Sequence, residues 1–263
     1  MNYKTILFTS DGGIARLTLN RPEKLNSFTV AMHAEVRAAL VELRADTSAR
    51  VLVLTGAGRG FCAGQDLGDE SIAPGAGDVD LGAAIEQHYG PLVLALRNLR
   101  MPVLCGVNGV AAGAGANLAL ACDIVIAARS ANFVESFCKL GLIPDTGGTY
   151  FLPRLLGTAR AMGLAMLGDK LSAEQAERWG LIWKCVDDTA LAAEIDSLAR
   201  HFASAPTLGL ARTKQAIYAS SDNPLAAQLD LERDLMRELG RSADYREGVA
   251  AFSARRAPQF TGA

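Results

Sequence analysis

One aspartate, Asp145, stands where an apolar run breaks into a turn of proline and glycine, in the segment 141–149. A carboxylate among apolar side chains is desolvated, which raises its pKa and makes it a stronger general base. The same Pro-Asp-Thr-Gly pattern is typical of a helix start with the aspartate as N-cap. Taken alone, the turn favours the helix cap. The apolar neighbours expected for the general base are Phe137, Leu140, Leu142 and Ile143.

Two segments rich in glycine and alanine lie upstream of Asp145, at 60–67 and 109–117. Small residues let backbone N–H groups approach a ligand, and two such donors aimed at one oxygen stabilise a developing enolate. Each segment follows a predicted buried strand, at the edge where open α/β sheets bind ligands. Glycines between a strand and a helix also occur where the two only pack closely, so spacing alone leaves both interpretations open.

The elements that must position these segments alternate between strands and helices. The predicted strands are 14–19, with alternating polarity, and the continuous apolar runs 51–54, 103–107 and 124–127. The predicted helices between them are 29–44, 81–99 and 116–121. Continuous apolar runs are typical of strands buried on both faces of a parallel sheet. The alternation therefore predicts an α/β architecture with right-handed crossovers.

After Asp145 the pattern becomes mostly helical. Ser172 begins a capping box that predicts a helix to about Trp179. Further helices are predicted at 191–202, 206–218, 224–239 and 245–252. The stretch from Ser71 to Asp80, which holds Pro74, Gly75 and Gly77, is expected to be a flexible loop.

Composition narrows the class of protein. Of 263 residues, 50% are hydrophobic and 21% charged, and the net charge is −2, which offers no basic field for nucleic acid or an anionic membrane. Five cysteines without a C-x-x-C pair, together with three histidines, argue against a structural zinc site, and we expect no metal and reduced thiols. The N-terminus lacks a signal-peptide core and no apolar run is long enough to span a membrane. We expect a cytoplasmic protein.

The three segments around Asp145, in this order and spacing, resemble the enoyl-CoA hydratase/isomerase (crotonase) superfamily. The similarity runs from Asn20-Arg21-Pro22 to the C-terminal 255–260, and 56–64 and 107–111 carry it most specifically. The resemblance implies stacked β-sheets built from repeated ββα units and a C-terminal helical region that forms trimers or hexamers. It also implies an α/β core over 1–200 with a CoA-thioester site, and a helical region over 201–263 that completes the site and the oligomer.

The resemblance further implies the site residues. The oxyanion hole would be formed by the backbone N–H groups of Gln65 and Ala114, with Asp145 as the catalytic carboxylate. No cofactor beyond the CoA of the substrate is implied. The residues expected to bind that CoA are Lys24, Leu25, Ala63, Gln65, Asp66, Leu67, Phe252 and Arg255. Phe252 and Arg255 match a helix that in this superfamily often contacts the CoA of a neighbouring subunit.

Departures from the superfamily pattern indicate the reaction. Hydratases of this type add water with two glutamates, and the corresponding positions here are Asn117 and Phe137. Neither an amide nor a phenyl ring transfers protons as those acids do. Isomerases place a carboxylate where Asp145 stands, and 59–67, 140–145 and 240–249 resemble the ring-1,2-epoxyphenylacetyl-CoA isomerases of phenylacetate catabolism. We therefore expect isomerisation of that epoxide to an oxepin thioester, and also the shift of a 3-enoyl-CoA to a 2-enoyl-CoA.

Other interpretations stay open from the sequence. One is a general 3,2-enoyl-CoA isomerase or a hydratase of fatty-acid oxidation, and another is a non-catalytic or RNA-binding paralogue. A third makes Asp145 a nucleophile that displaces halide from an aryl-CoA, which Phe137 disfavours because it offers no N–H donor. Among nearby residues, His88 and Tyr89 are candidates for the acyl pocket, the direction of Glu135 is undetermined, and His33 is expected to be solvated.

Overall fold

A computed structural model describes residues 2–69 and 80–263, and most of the predicted loop from Ser71 to Asp80 lies outside the described residues. The described residues form two β-sheets with helices packed around them. The strands are β1 Ile6–Asp11, β2 Ile14–Leu19, β3 Val51–Gly56, β4 Gly60–Cys62, β5 Val103–Val107, β6 Val110–Ala112, β7 Ile124–Ala128, β8 Asn132–Val134, β9 Lys170–Ser172 and β10 Lys184–Val186.

The larger sheet has the order β1-β2-β3-β5-β7-β10 and the smaller one β4-β6-β8-β9. The larger sheet is parallel apart from the β1–β2 hairpin. Strand β5 is buried at every position, as its continuous apolar run predicted, and β2 alternates between buried and half-buried. The α/β prediction is confirmed by this sheet.

The helices are α1 Val30–Ala45, α2 Leu81–Ala84, α3 Gly90–Arg97, α4 Ala114–Leu120, α5 Gly148–Leu156, α6 Thr158–Leu167, α7 Ala173–Trp179, α8 Leu191–Ala203, α9 Thr207–Ala219, α10 Leu225–Leu239 and α11 Ala243–Ala254. The predicted helix start at Ser172 is confirmed, because the Ser172 hydroxyl accepts a hydrogen bond from the Gln175 N–H before α7. The predicted single helix 81–99 is instead α2 and α3 joined by a π-helical turn, Ile85–Tyr89.

The smaller sheet was absent from the prediction based on periodicity. Its strands have three residues each, too few for an alternating pattern to be recognised. This sheet is important for function because β4 and β6 pair in parallel and carry the two glycine- and alanine-rich segments. The segments follow the buried parallel strands β3 and β5 along the chain, as predicted, and their first residues form β4 and β6 of the smaller sheet.

The C-terminal region is linked to the core through Arg50, next to β3. Its guanidinium donates to the carbonyls of Ala205 and Phe260 and to the Thr207 hydroxyl. Helix α8 packs on β3, β5 and β7. Across residues 2–69 and 80–263, no helix has the length and apolar character needed to cross a bilayer.

Candidate active site

Asp145 lies in the turn between a 3-10 segment, Ser136–Leu140, and helix α5. Its carboxylate lines a cavity of about 160 Å³ and accepts a hydrogen bond from the Thr146 hydroxyl at 2.8 Å. Burial raises the pKa of Asp145, and the Thr146 hydrogen bond opposes this increase. The carboxylate is therefore a stronger base than an exposed aspartate and remains open to a ligand.

The helix-cap interpretation of Asp145 is wrong. Helix α5 begins at Gly148, its N-cap is Gly147, and no side chain caps it. Thr146 and Gly147 both have positive φ, 52° and 85°, and these two left-handed residues separate the aspartate from the helix. Asp145 contacts the first turn of α5 through its main-chain carbonyl, which accepts a hydrogen bond from the Gly148 N–H at 2.7 Å.

The cavity walls are mainly apolar. The lining residues are Ala63, Gly64, Gln65, Leu67, Leu81, Ala84, Tyr89, Gly113, Ala114, Ser136, Phe137, Leu140, Leu142 and Asp145. Asp145 is the single carboxylate among them, within the described part of the chain. The apolar surroundings predicted from Phe137, Leu140 and Leu142 are present. Ile143 is 76% exposed and is not among the lining residues, so its predicted place in the pocket is wrong.

The two predicted oxyanion-hole residues, Gln65 and Ala114, face the same cavity. Gln65 follows β4, and Ala114 is the first residue of α4, where backbone N–H groups have no partner inside the helix. Within the described residues, neither amide N–H has a hydrogen-bond acceptor. Two such amide donors beside one carboxylate are the arrangement that stabilises an enolate, and binding of the thioester oxygen by these amides remains a prediction.

Gly64 brings the two amide segments together. Its φ is +89°, and a Cβ atom there would lie 2.9 Å from the Ala112 oxygen and 3.3 Å from the Ala114 nitrogen. We expect Gly64→Ala to push the Gln65 loop away from α4 and lower kcat by at least about 10-fold. The measurement is steady-state kinetics together with thermal unfolding.

The matched control is Gly12→Ala, at a hairpin glycine that also has positive φ, +56°, but meets no atom within 4 Å. Gly12→Ala introduces the backbone strain of a positive φ without a close contact. It should lower the free energy of unfolding by about 1 kcal/mol and leave kcat at the wild-type value. An unchanged kcat in Gly64→Ala would show that the close approach at Gly64 does not shape the site.

Tyr89 lies at the end of the π-helical turn and lines the cavity, as one of the two sequence candidates predicted. Its hydroxyl donates to the Gln65 side-chain oxygen at 2.7 Å, and this fixes the residue whose N–H faces the cavity. Burial raises the pKa of Tyr89. A π-helical turn, which is common at functional sites, turns Tyr89 toward Gln65.

His88, the other candidate for the acyl pocket, points elsewhere. It stacks on His33 at 5.1 Å between ring centroids and lines a separate cavity with Arg37. The expectation that His33 is solvated is wrong, since it is 3% exposed. Burial lowers the pKa of His33 to about 3, with His88 and Arg37 adding to the decrease, so this imidazole is neutral.

The two positions that hold glutamates in hydratases have different roles here. Phe137 lines the cavity, whereas Asn117 is fully buried in α4 behind it. The Asn117 side-chain amide donates to the Asp145 carbonyl at 3.0 Å and to the Glu135 carboxylate at 3.3 Å. The structure thus resolves the direction of Glu135: it points inward, behind the cavity wall, with 3% of its surface exposed.

The residues expected to border the CoA lie in the loops before α1 and after β4. The Ala63 N–H donates to the Leu25 carbonyl at 2.9 Å, so these two predicted residues are adjacent. Ala63 and Leu67 line the cavity, and Lys24 is exposed to solvent. Their contact with CoA remains a prediction.

Asp66 orients the loop that carries Gln65. Its carboxylate pairs with Arg21 at 2.9 Å and accepts from the Gly68 N–H at 3.0 Å. Burial acts to raise the pKa of Asp66. The hydrogen bonds from Arg21 and Gly68, together with the positive charges of Arg21 and Lys24, outweigh burial and lower that pKa. Arg21, which the sequence did not single out as a site residue, therefore holds the cavity loop in place.

Phe252 and Arg255, at the end of α11, are not among the residues that line the Asp145 cavity. Phe252 is 87% exposed and borders a second cavity of about 420 Å³, which Tyr245 and Val249 also line. Arg255 is exposed as well. Neither residue lines the Asp145 cavity of its own chain, and their contact with CoA remains a prediction.

The comparisons with known proteins agree with this geometry. A two-sheet α/β fold with free amides beside a carboxylate defines a class of acyl-thioester enzymes, and residues 9–263 match the family described as "Enoyl-CoA hydratase/isomerase". The chain belongs to that family.

Two relatives and one solved structure show how close the match is. The chain is 60% identical to the 1,2-epoxyphenylacetyl-CoA isomerase of Escherichia coli (strain K12), over 98% of each chain. It is 49% identical to a protein of Rhodobacter capsulatus named probable enoyl-CoA hydratase, over 100% of each chain. The crystal structure of enoyl-CoA hydratase from Bacillus anthracis superposes with a TM-score of 0.92 at 30% identity, covering 99% of this chain and 100% of that one. The predicted crotonase-type fold is confirmed.

Proposed function

We propose that this chain is an isomerase that converts 2-(1,2-epoxy-1,2-dihydrophenyl)acetyl-CoA to the oxepin-CoA in phenylacetate catabolism. The observation that carries the proposal is the Asp145 carboxylate, in an apolar cavity beside the Gln65 and Ala114 amides, which have no acceptor among the described residues. The 60% identity to the Escherichia coli isomerase supports the same substrate. The cavity of about 160 Å³ suits an aromatic-derived acyl group, since a cavity of about 150 Å³ holds benzene.

The proposed mechanism begins with the thioester oxygen between the Gln65 and Ala114 amides. Asp145 removes a proton from the carbon next to the thioester, and the two amides stabilise the enolate, at about 3 kcal/mol per donor. The carbon–carbon bond shared by the epoxide and the six-membered ring then breaks, which gives the seven-membered ring. The proton returns to a ring carbon, so the product has the same composition as the substrate and no water or cofactor is consumed.

The same groups support a simpler reaction on linear substrates. For a 3-enoyl-CoA, Asp145 removes a proton from the carbon next to the thioester and returns it two carbons away, which gives the 2-enoyl-CoA. The enolate intermediate is again stabilised by the two amides. We propose this shift as a second activity of the same site.

Hydration is the competing activity, because the Rhodobacter capsulatus relative is named a hydratase. Adding water requires a group to activate the water and one to protonate the adjacent carbon. Among the described residues that line the cavity, Asp145 is the one carboxylate, with Phe137 and the buried Asn117 at the hydratase positions. A non-catalytic or RNA-binding role accounts for neither the desolvated carboxylate nor the net charge of −2.

The experiment that tests the proposal measures turnover of the epoxide thioester, a linear 3-enoyl-CoA and a 2-enoyl-CoA under one set of conditions. We expect conversion of the first two and negligible water addition to the third. Robust hydration of the 2-enoyl-CoA, without conversion of the epoxide, would replace the isomerase by a hydratase. Salt-dependent RNA binding without turnover of any thioester would favour the paralogue.

We further propose that the protein is a cytoplasmic homotrimer, or a hexamer of two trimers, in which Phe252 and Arg255 reach the CoA of a neighbouring subunit. The support is the exposed Phe252 beside the apolar cavity of α11, on a helix that does not border its own active site. Light scattering during size-exclusion chromatography should report three or six chains, whereas a monomer would contradict the proposal.

A further inference from the structure

A second carboxyl group, Glu135, lies directly behind the wall that carries Asp145. It follows strand β8, and its Oε2 accepts a hydrogen bond from the Asn117 Nδ2 at 3.3 Å. The same Nδ2 donates to the main-chain carbonyl of Asp145 at 3.0 Å. A single amide therefore joins Glu135 to the backbone of the proposed catalytic residue.

Asn117 has little freedom to do anything else. A Cβ atom on Gly148 would lie 2.4 Å from its Nδ2 and 2.8 Å from its Oδ1, so the amide packs flat against the start of α5. Its Oδ1 is buried and has no hydrogen-bond partner in the structure. The two hydrogen bonds of Nδ2 are thus what orients this side chain. Glu135 supplies one of them.

Asn117 also belongs to the helix that presents the oxyanion amide. It lies one turn after Ala114 in α4, and its own N–H donates to the Gly113 carbonyl at 3.2 Å. A rigid link from Glu135 through Asn117 therefore connects the segment that carries Asp145 with the helix start that carries the Ala114 amide. Displacing a reacting group by about 1 Å can lower a rate about 100-fold, so such a link has kinetic consequences.

We propose that Glu135 is a positioning residue, whose carboxyl group holds Asn117 and through it the main chain of Asp145 against helix α4. The effect on turnover rests on the proposed function. Glu135 is excluded from the cavity lining, so the proposal gives it no contact with substrate.

The surroundings of Glu135 favour protonation of its carboxyl group. Helix α4 and strand β8 carry no ionisable residue, and the adjoining 136–140 segment carries Cys138 and an exposed Lys139. From the direction of α5 the facing charge is that of Asp145. Burial, and then the negative charge of Asp145, raise the pKa of Glu135 from 4.5 to about 7, against the hydrogen bond from Asn117.

The test compares Glu135→Gln with Glu135→Leu. Glutamine keeps an acceptor for Asn117 and has no charge, so kcat should stay within about 3-fold of wild type. Leucine keeps the approximate volume and removes the acceptor, so kcat should fall about 10- to 100-fold with KM nearly unchanged. In wild type, ionisation of Glu135 should also cause an inflection near pH 7 in the pH profile of kcat, which Glu135→Gln should lack.

An activity-independent measurement accompanies the kinetics. Since the folded-state pKa of Glu135 is raised, wild type loses stability relative to Glu135→Gln as the pH rises from about 4.5 to about 7, and the difference is constant above that. Thermal unfolding across this range measures the difference in stability.

Two kinetic results would overturn the proposal. An inactive Glu135→Gln would mean that Glu135 itself transfers a proton. A fully active Glu135→Leu would mean that Glu135 positions nothing. If wild type converts no thioester, the proposed function fails. The unfolding of Glu135→Gln then still decides whether the pKa of Glu135 is raised. A crystal structure of Glu135→Leu decides whether Glu135 holds the turn that carries Asp145.

Discussion

Replacing Asp145 by asparagine should lower kcat for the epoxide and for the 3-enoyl-CoA by about 10²- to 10⁴-fold, with a small change in KM. A positioned general base contributes an effect of this size, and asparagine cannot accept the proton. The amide is close to isosteric and its oxygen can still accept the Thr146 hydrogen bond, which is 2.8 Å long in wild type. The backbone contacts from Gly148 and Asn117 use the main-chain carbonyl and are unaffected. Steady-state kinetics with both thioesters is the measurement.

The same variant should be more stable than wild type near neutral pH. Burial raises the pKa of Asp145 in the folded state, so stability is lost as the pH rises from the ordinary value of an aspartate through that raised pKa. Asparagine has no charge to desolvate and escapes this loss. Thermal unfolding at acidic and neutral pH should show a gap between the two proteins that widens as the pH increases.

The control for Asp145→Asn is Asp11→Asn, an exposed aspartate at the end of β1. It makes the same change of net charge away from the cavity, and both kcat and stability should stay close to wild type. Turnover in Asp145→Asn close to that of Asp11→Asn would remove Asp145 from the mechanism and leave the amides as the source of catalysis.

The fold was predictable from the sequence where the elements were long. Strand β5 was predicted at its observed residues and β3 at its first four, because continuous apolar runs are typical of buried parallel strands. The strands of the smaller sheet were not, because three residues cannot show a period. Their positions depend on pairing between distant segments, such as Val110 with Gly60 and with Asn132. Only the resemblance to the superfamily implied a second sheet.

Asp145 was predictable from its residue type and surroundings, whereas Gln65 and Ala114 were identified through the resemblance to the superfamily. All three residues line one cavity. The helix-cap alternative failed because the left-handed conformations of Thr146 and Gly147 delay the helix, which local sequence preference does not reveal. His33 could have been predicted as buried, since it lies three residues before the buried Val36 on the apolar stripe of α1. The direction of Glu135 could not, since it sits between a short strand and a 3-10 segment, where no periodicity applies.

Replacing Ala114 by proline should remove one oxyanion donor while leaving helix α4 in place. Ala114 is the first residue of α4, and proline is favoured at that position because its missing N–H has no partner inside the helix. The preceding Gly113 has φ of 53° and ψ of −129°, a positive-φ conformation that glycine adopts freely and that lies outside the α region disfavoured before proline. Loss of a single oxyanion donor typically lowers kcat by about 10²- to 10³-fold.

Ala114→Gly is the matched control, because it changes the side chain and keeps the N–H. Its kcat should remain within about 3-fold of wild type, since a shortened side chain at the helix start costs about 1 kcal/mol of stability and no donor. Comparing the two substitutions separates the backbone donor from packing at Ala114, which is buried. If Ala114→Pro turns over the epoxide as fast as Ala114→Gly, the enolate is not stabilised at Ala114.

The double variant Asp145→Asn with Ala114→Pro tests whether the carboxylate and the amide act in one step. If Asp145 removes the proton while the Ala114 amide stabilises the charge that this removal creates, each group is useful only when the other works. The combined loss in kcat should then be clearly smaller than the product of the two single losses. A loss in kcat equal to the product of the two single losses would mean that Asp145 and the Ala114 amide act in independent steps. The amide would then stabilise the bound thioester and not an enolate.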